Sequence, residues 1–175
     1  MPDANRYLRK LIPAKCDSES YKKLNHIRNN IVDFVNKPEN LLIVSDCIQN
    51  CKTTWSLKLM YRYFHEIWAG SDYISRGYFI NVPKFLDDLK NYSYRNTPEF
   101  MEIDKNIKNV DLVIWDDITT YKLQESDQIL LNIYVSYRNM HFKANIFNGL
   151  DNGQIKENVG EILSARLDRA EKNCS

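Results

Sequence analysis

The sequence predicts an α/β protein, a three-layer sandwich in which a mostly parallel central sheet lies between two layers of helices. Three observations predict it. Short apolar runs at Leu41–Ser45, Gly77–Val82, Val110–Trp115 and Ala144–Asn148 alternate with helical patterns. These runs lack the in–out alternation of a sheet with one wet face, so they read as strands covered on both sides. The first run leads through a polar turn into Lys52-Thr53-Thr54 and a helix, and the third ends in Asp116-Asp117.

Residues 1–16 read as a loose, partly basic arm carrying Arg6, Arg9, Lys10 and Lys15. Asp17, Ser18 or Ser20 caps a helix to about Asn36. Tyr21, Leu24, Ile27, Ile31, Phe34 and Val35 recur in it at helical spacing, and Pro38 ends it. After the first strand and its loop, a helix from Lys52 to about Trp68 places Leu57, Leu59, Met60, Tyr63, Phe64 and Ile67 on its apolar side and stops at Gly70. Strand Gly77–Val82 follows, with Pro83 suited to the first turn of a helix over Lys84–Leu89. The polar stretch 91–109 holds a loop and a helix around Pro98–Ile107.

Strand Val110–Trp115 comes next, then a long helix over Gln124–Met140 with Ile129, Leu130, Ile133, Tyr134 and Tyr137 facing inward. Strand Ala144–Asn148, a turn at Gly149–Gly153, and helices over Gln154–Val159 and Gly160–Glu171 close the chain. Strands Leu41–Ser45, Val110–Trp115 and Ala144–Asn148 are expected as central neighbours. The organisation is an arm and helix over 1–39 and a P-loop domain over 40–175.

Composition narrows the function. At 175 residues the chain has room for one proper core, and its net charge of +1 provides no bulk basic field for nucleic acid. Contacts to nucleic acid would have to come from local clusters, and Tyr61-Arg62-Tyr63, Tyr92 to Arg95 and Tyr137-Arg138 are the candidates. No leader and no long apolar span are visible, so a cytoplasmic protein without membrane contact is expected. Cys16, Cys47, Cys51 and Cys174 form no disulfide framework and fit a reducing compartment. His26, His65 and His141 are too scattered to complete a metal site with Cys47 and Cys51.

The strand–loop–Lys–Thr–helix order around Lys52 is that of a P-loop. The motif wants glycine at positions 46 and 51, where backbone N–H groups must reach phosphates unobstructed. This chain has Asp46 and Cys51 there, and no glycine between Ser45 and Thr53. The apolar strand ending in Asp116-Asp117, about sixty residues downstream, is a Walker B pattern. In such a site Lys52 reaches the terminal phosphates, Thr53 and Asp116 hold Mg²⁺, and Asp117 polarises the attacking water. Asn50 and Thr54 flank the lysine and hydroxyl as further nucleotide contacts. Asn148, ending the neighbouring strand, is placed to sense a γ-phosphate. Arg166, with Arg169 behind it, is placed to act as a finger on a neighbour's nucleotide. The plainer alternatives are a surface lysine with a capping threonine, an acidic turn closing a strand, and solvated helix arginines.

Taken together, NLLIVS…NCKTTW, KLMYRYFHEIWAG, GYFINVPKFLDDLKNY, NVDLVIWDDI and VGEILSARL resemble the AAA+ helicase loaders of bacteria and their phages, the DnaC/DnaI type, over about Asn40–Leu167. The short phage-type loaders are the nearest match in pattern. The resemblance implies a DNA replication protein with the replicative helicase as partner, single-stranded DNA as a second ligand, and ATP with Mg²⁺ as cofactor. It implies Lys52, Thr53, Asp116, Asp117 and Arg166 in the roles above. The chain departs from the family in its loop, Gln49-Asn50-Cys51-Lys52-Thr53, and after the fourth strand, where Asn148-Gly149-Leu150 replaces Thr-Ser-Asn. ATPase activity is therefore expected to be weak or absent, and self-association weak. Two other readings stay open: a pseudo-ATPase that engages helicase or host loader without hydrolysis, and an unrelated P-loop NTPase.

Overall fold

The computed structural model describes residues 18–45, 51–67, 76–91, 96–151, 153–168 and 171–174. The basic arm, the Asp17 cap, loop residues 46–50, the helix end at Trp68 and Gly70, the Tyr92–Arg95 cluster and Arg169 lie outside the described residues. In chain order the elements are α1 (Ser18–Asn29), α2 (Ile31–Asn36), β1 (Asn40–Ser45), α3 (Lys52–Ile67), β2 (Gly77–Asn81), α4 (Val82–Lys90), α5 (Pro98–Asn109), β3 (Leu112–Asp116), α6 (Glu125–Met140), β4 (Ala144–Leu150), α7 (Ile155–Val159), α8 (Glu161–Asp168) and β5 (Glu171–Cys174).

The strands form one sheet in the order β2-β3-β4-β1-β5, with every neighbouring pair parallel. The three strands expected as central neighbours are neighbours. Strands β1, β3 and β4 feed one apolar core on each face. Leu41, Ile43, Leu112, Ile114, Ala144 and Ile146 pack against α1, α2 and α3. Leu42, Val44, Val113, Trp115 and Phe147 pack against α4 to α8. The period-2 geometry of a strand sends alternate side chains to opposite faces, so a strand buried on both faces must be apolar throughout. Helices α1 and α2 share their core with β1 and α3 through Leu24, Ile27, Ile31, Phe34 and Val35.

Several expectations need correction. The first helix is broken at Asn30 rather than continuous to Asn36, and Tyr21 is 40% exposed. Strand β2 stops at Asn81, because the Asn81 side chain accepts from the Lys84 N–H and caps α4, drawing Val82 into the helix. The last helix does not run to Glu171. It ends at Asp168, and Glu171–Cys174 pairs along β1 as an edge strand. That pairing uses backbone groups only, so a polar sequence such as EKNC gives no apolar signal for it.

The largest correction is the inner face of α6. Ile129 and Ile133, expected inward, are 56% and 58% exposed, and Tyr137 is only half-buried. The buried stripe is Asp127, Leu131, Tyr134, Val135 and Arg138. Arg138 is fully buried, and its guanidinium makes five hydrogen bonds. Nε donates to Asn145 Oδ1 at 2.7 Å. Nη1 donates to the carbonyls of Ile107 and Val110 at 2.6 and 3.0 Å. Nη2 donates to those of Asp111 and Ala144 at 3.2 and 2.6 Å. Burial pulls its pKa down to about 9, with Asp111 opposing, so the group stays charged at neutral pH. Asn145 Oδ1 also accepts from the Trp115 indole at 3.0 Å, and its Nδ2 donates to Asn40 Oδ1 at 2.8 Å.

Arg138→Met keeps the volume and removes every donor. It takes a donor from four backbone carbonyls and from Asn145 Oδ1 and is expected to destabilise the protein by about 3 kcal/mol or more. Urea unfolding followed by tryptophan fluorescence measures it, and a loss near zero would mean that water or a neighbour replaces the guanidinium.

Candidate nucleotide site

The sheet register brings three polar side chains, Asn81, Asp116 and Asn148, to the carboxyl ends of adjacent strands. Asn81 of β2 lies opposite Asp116 of β3, and Ile43 of β1 lies opposite Asn148 of β4. The β3–β4 register runs from Leu112↔Ala144 to Trp115↔Phe147, which sets Asp116 beside Asn148 at the next step. Helix α3 starts above this edge and contributes Lys52, Thr53 and Ser56. Open parallel sheets place ligands at this edge.

The carboxylate of Asp116, almost fully buried, is the centre of the group. Its Oδ1 accepts from Thr53 Oγ1 at 2.8 Å and from Asn148 Nδ2 at 2.7 Å. Asn148 Oδ1 in turn accepts from Ser56 Oγ at 2.5 Å. Burial raises the pKa of Asp116; the bonds from Asn148 and Thr53 pull it back, the Asp117 charge adds to the rise, and Lys52 opposes it. Lys52 is buried, with Nζ 3.2 Å from Ser45 Oγ. Asp117 adopts φ 60 and is held by Asn81 Nδ2 at 3.5 Å and Thr120 Oγ1 at 3.3 Å. The segment behind it is tied down. Ile118 N–H donates to the Asn148 carbonyl at 2.9 Å, and Thr119 Oγ1 donates to the Leu150 carbonyl at 2.7 Å. A Cβ on Gly149 would lie 1.8 Å from Thr119 Oγ1, so only glycine fits there.

Of the residues singled out in the sequence, Lys52, Thr53, Asp116, Asp117 and Asn148 converge. Thr54 is half-buried beside them, and Asn50 lies outside the described residues. Arg166 sits on α8, with Nε donating to Asn132 Oδ1 of α6 at 2.8 Å, and no bond joins it to the Asp116 group. Sequence reasoning missed Ser56 and Asn81. Ser56 was legible as the residue one turn after Lys52, and Asn81 as a cap ahead of Val82-Pro83. Cys51, where the motif wants glycine, has φ 53. That is a left-handed conformation, which glycine adopts without strain. The aromatic–basic clusters fare less well. Tyr63 is buried with its hydroxyl on Asp111, Arg62 pairs with Glu66, and Arg138 faces the core.

The donors fit a magnesium–phosphate group. A hydroxyl and a carboxylate adjoin, Asp116 Oδ2 has no hydrogen bond among the described residues, and a lysine stands at the helix start. No cluster of three His, Cys, Asp or Glu side chains that could hold a metal exists among the described residues, so a cation here would take its remaining ligands from water or phosphate oxygens. Among those residues no helix is long and apolar enough to cross a membrane.

No family model and no curated protein matches the sequence. Solved structures do match. A crystal structure of the DnaC helicase loader superposes with a TM-score of 0.70 at 15% identity, over 87% of this chain and 85% of that one. DnaI gives 0.68 at 15% identity, over 95% and 93%. The replication initiator DnaA bound to AMPPCP and single-stranded DNA gives 0.72 at 15% identity, over 95% of this chain and 48% of that one. The chain thus has the AAA+ P-loop fold of the DnaC- and DnaI-type loaders and spans about half of the DnaA chain.

The raised pKa of Asp116 carries a sign. A carboxyl that binds its proton more tightly folded than unfolded favours folding at low pH, and that contribution is lost as pH rises through the folded value. Asp116→Asn, which removes this titration, is expected to melt higher than the native chain near pH 7.5 and to lose the advantage near pH 4, the ordinary carboxylate range. Thermal melts across that range decide it; a variant less stable at neutral pH would mean that the Thr53 and Asn148 bonds outweigh the burial cost.

Proposed function

We propose that this chain acts in DNA replication as a helicase-loader-like protein that binds a replicative helicase in the cytoplasm, with weakened ATP use. The observation that carries the reading is the convergence of Lys52, Thr53, Asp116 and Asn148 at the carboxyl edge of an AAA+ sheet. In this reading Lys52, with Asn50 and Thr54, meets the phosphates, Thr53 and Asp116 hold Mg²⁺, and Asn148 contacts the terminal phosphate. Asp117, held by Asn81 and Thr120, orients the attacking water. Arg166 serves a neighbouring subunit within an assembly that forms on the helicase, self-association being weak without it. Single-stranded DNA is a further proposed ligand, and the pattern of a short phage-type loader supports a phage or prophage origin.

A second reading is favoured by Cys51. A side chain at φ 53 in the position where the motif has glycine suits a pseudo-ATPase that keeps the loader surface without turnover. Mg-ATP titration separates the two. We expect affinity weaker than the low micromolar range, and improved binding in Gln49→Gly with Cys51→Gly, the latter also relieving a left-handed non-glycine residue worth about 1 kcal/mol. Binding at low micromolar strength by the native chain would defeat the degenerate-loop argument. Lys52→Ala is expected to leave pull-down of the purified replicative helicase intact if the chain is a pseudo-ATPase. Its loss in a folded variant would favour an ATP-gated loader.

A further inference from the structure

Ser56 lies one turn after Lys52 on the side of α3 that faces the sheet, and it is fully buried. Its hydroxyl has one proton and two acceptors in reach. The Lys52 carbonyl of its own helix is at 3.3 Å, and Asn148 Oδ1 is at 2.5 Å. The shorter contact is a strong O–H···O distance and the longer lies beyond the usual range, so the proton goes to Asn148. A helical serine ordinarily satisfies itself on the carbonyl four residues back. Here it is spent on a strand 92 positions away in the chain.

That commitment determines the amide. With Oδ1 accepting from Ser56, the Nδ2 of Asn148 must face Asp116, where it donates to Oδ1 at 2.7 Å. Turned the other way, the amide would set its oxygen against a carboxylate oxygen, and a carboxylate only accepts. Thr53 donates to the same Oδ1 at 2.8 Å. Two donors therefore meet on one oxygen of Asp116, and Oδ2 keeps its lone pairs among the described residues.

We propose that Ser56 is a positioning residue of this site: its hydroxyl orients the Asn148 amide, which with Thr53 holds Asp116 so that Oδ2 is left for a magnesium-bound ligand. The role rests on the nucleotide-site reading above, while the orientation of the amide does not. The side-chain NH₂ signals of Asn148 report it in the ¹⁵N-labelled full chain, assigned by their loss in Asn148→Ala. In the native chain the two proton shifts are expected to be well separated and slow to exchange with water. Ser56→Ala, with backbone signals elsewhere unchanged, is expected to draw the pair together and speed exchange about fivefold, the worth of one neutral hydrogen bond. If Ser56→Ala does not fold, Ser56→Cys, of similar shape with a weaker donor, is read in the same way. An unchanged Asn148 pair overturns the proposal. A fluorescent ATP analogue with and without Mg²⁺ gives the second readout. Ser56→Ala and Asn148→Ala should each weaken the Mg²⁺-dependent part of binding about fivefold, and the double variant no further, since both remove one chain of bonds. Additive losses overturn the positioning role. A native chain that binds no analogue removes the nucleotide reading, and the amide signals then still decide whether Ser56 orients Asn148.

Discussion

The buried Arg138 guanidinium is the constraint on which the rest of this structure depends. Five donors in a rigid plane meet the last turn of α5, the entry to β3 and the start of β4. A planar fork cannot satisfy those acceptors unless the strands are in one register. A one-residue slip of β4 would move Asn145 off the guanidinium and turn every side chain of the strand to the wrong face. Held in register at its amino end, the β3–β4 pair delivers Asp116 and Asn148 side by side at its carboxyl end. The two ends of the sheet are coupled in this way, a structural clamp at one and a polar site at the other.

The site itself is largely self-satisfied. Thr53 and Asn148 supply hydrogen bonds to the buried carboxylate, Ser56 bonds the Asn148 amide in turn, and Lys52 adds the opposite charge. Even so, burial outweighs them and raises the Asp116 pKa. A carboxylate kept at a stability cost in a strand-end cluster is the pattern of a functional site more than of a structural ion pair. Against this stands the loop. Its described end, Cys51, has left-handed geometry with a side chain where the motif has none. The Thr53–Asp116 pair of the P-loop pattern is in place and the glycines of its loop are not, and this division underlies both functional readings.

Exposed apolar residues on α6 follow from the same clamp. Turning Arg138 inward rotates Ile129 and Ile133 out to solvent, where Ile162 of α8 is also 65% exposed. The helix carries apolar residues on two sides, and polar partners accompany the buried one. Lys90 reaches Asp127 at 3.2 Å, and backbone carbonyls meet Arg138. Rules that send charged residues outward chose the wrong stripe, because a charge is buried when enough acceptors converge on it.

By itself the sequence determined the layered α/β class, the order and approximate bounds of β1 to β4, and the two acidic and basic motifs at strand ends. Those follow from local causes: continuous apolar runs of strand length, glycine and proline punctuation, and a lysine-threonine pair opening a helix. Only the tertiary structure decided the face of α6, the β5 edge strand and the bond between Ser56 and Asn148. Each of these depends on which distant groups come within hydrogen-bond reach, and a one-dimensional pattern carries no signal for a partner 92 positions away. The same reason explains Arg138. Its residue type says surface, and only the convergence of five acceptors from separate elements offsets the cost of taking its charge out of water.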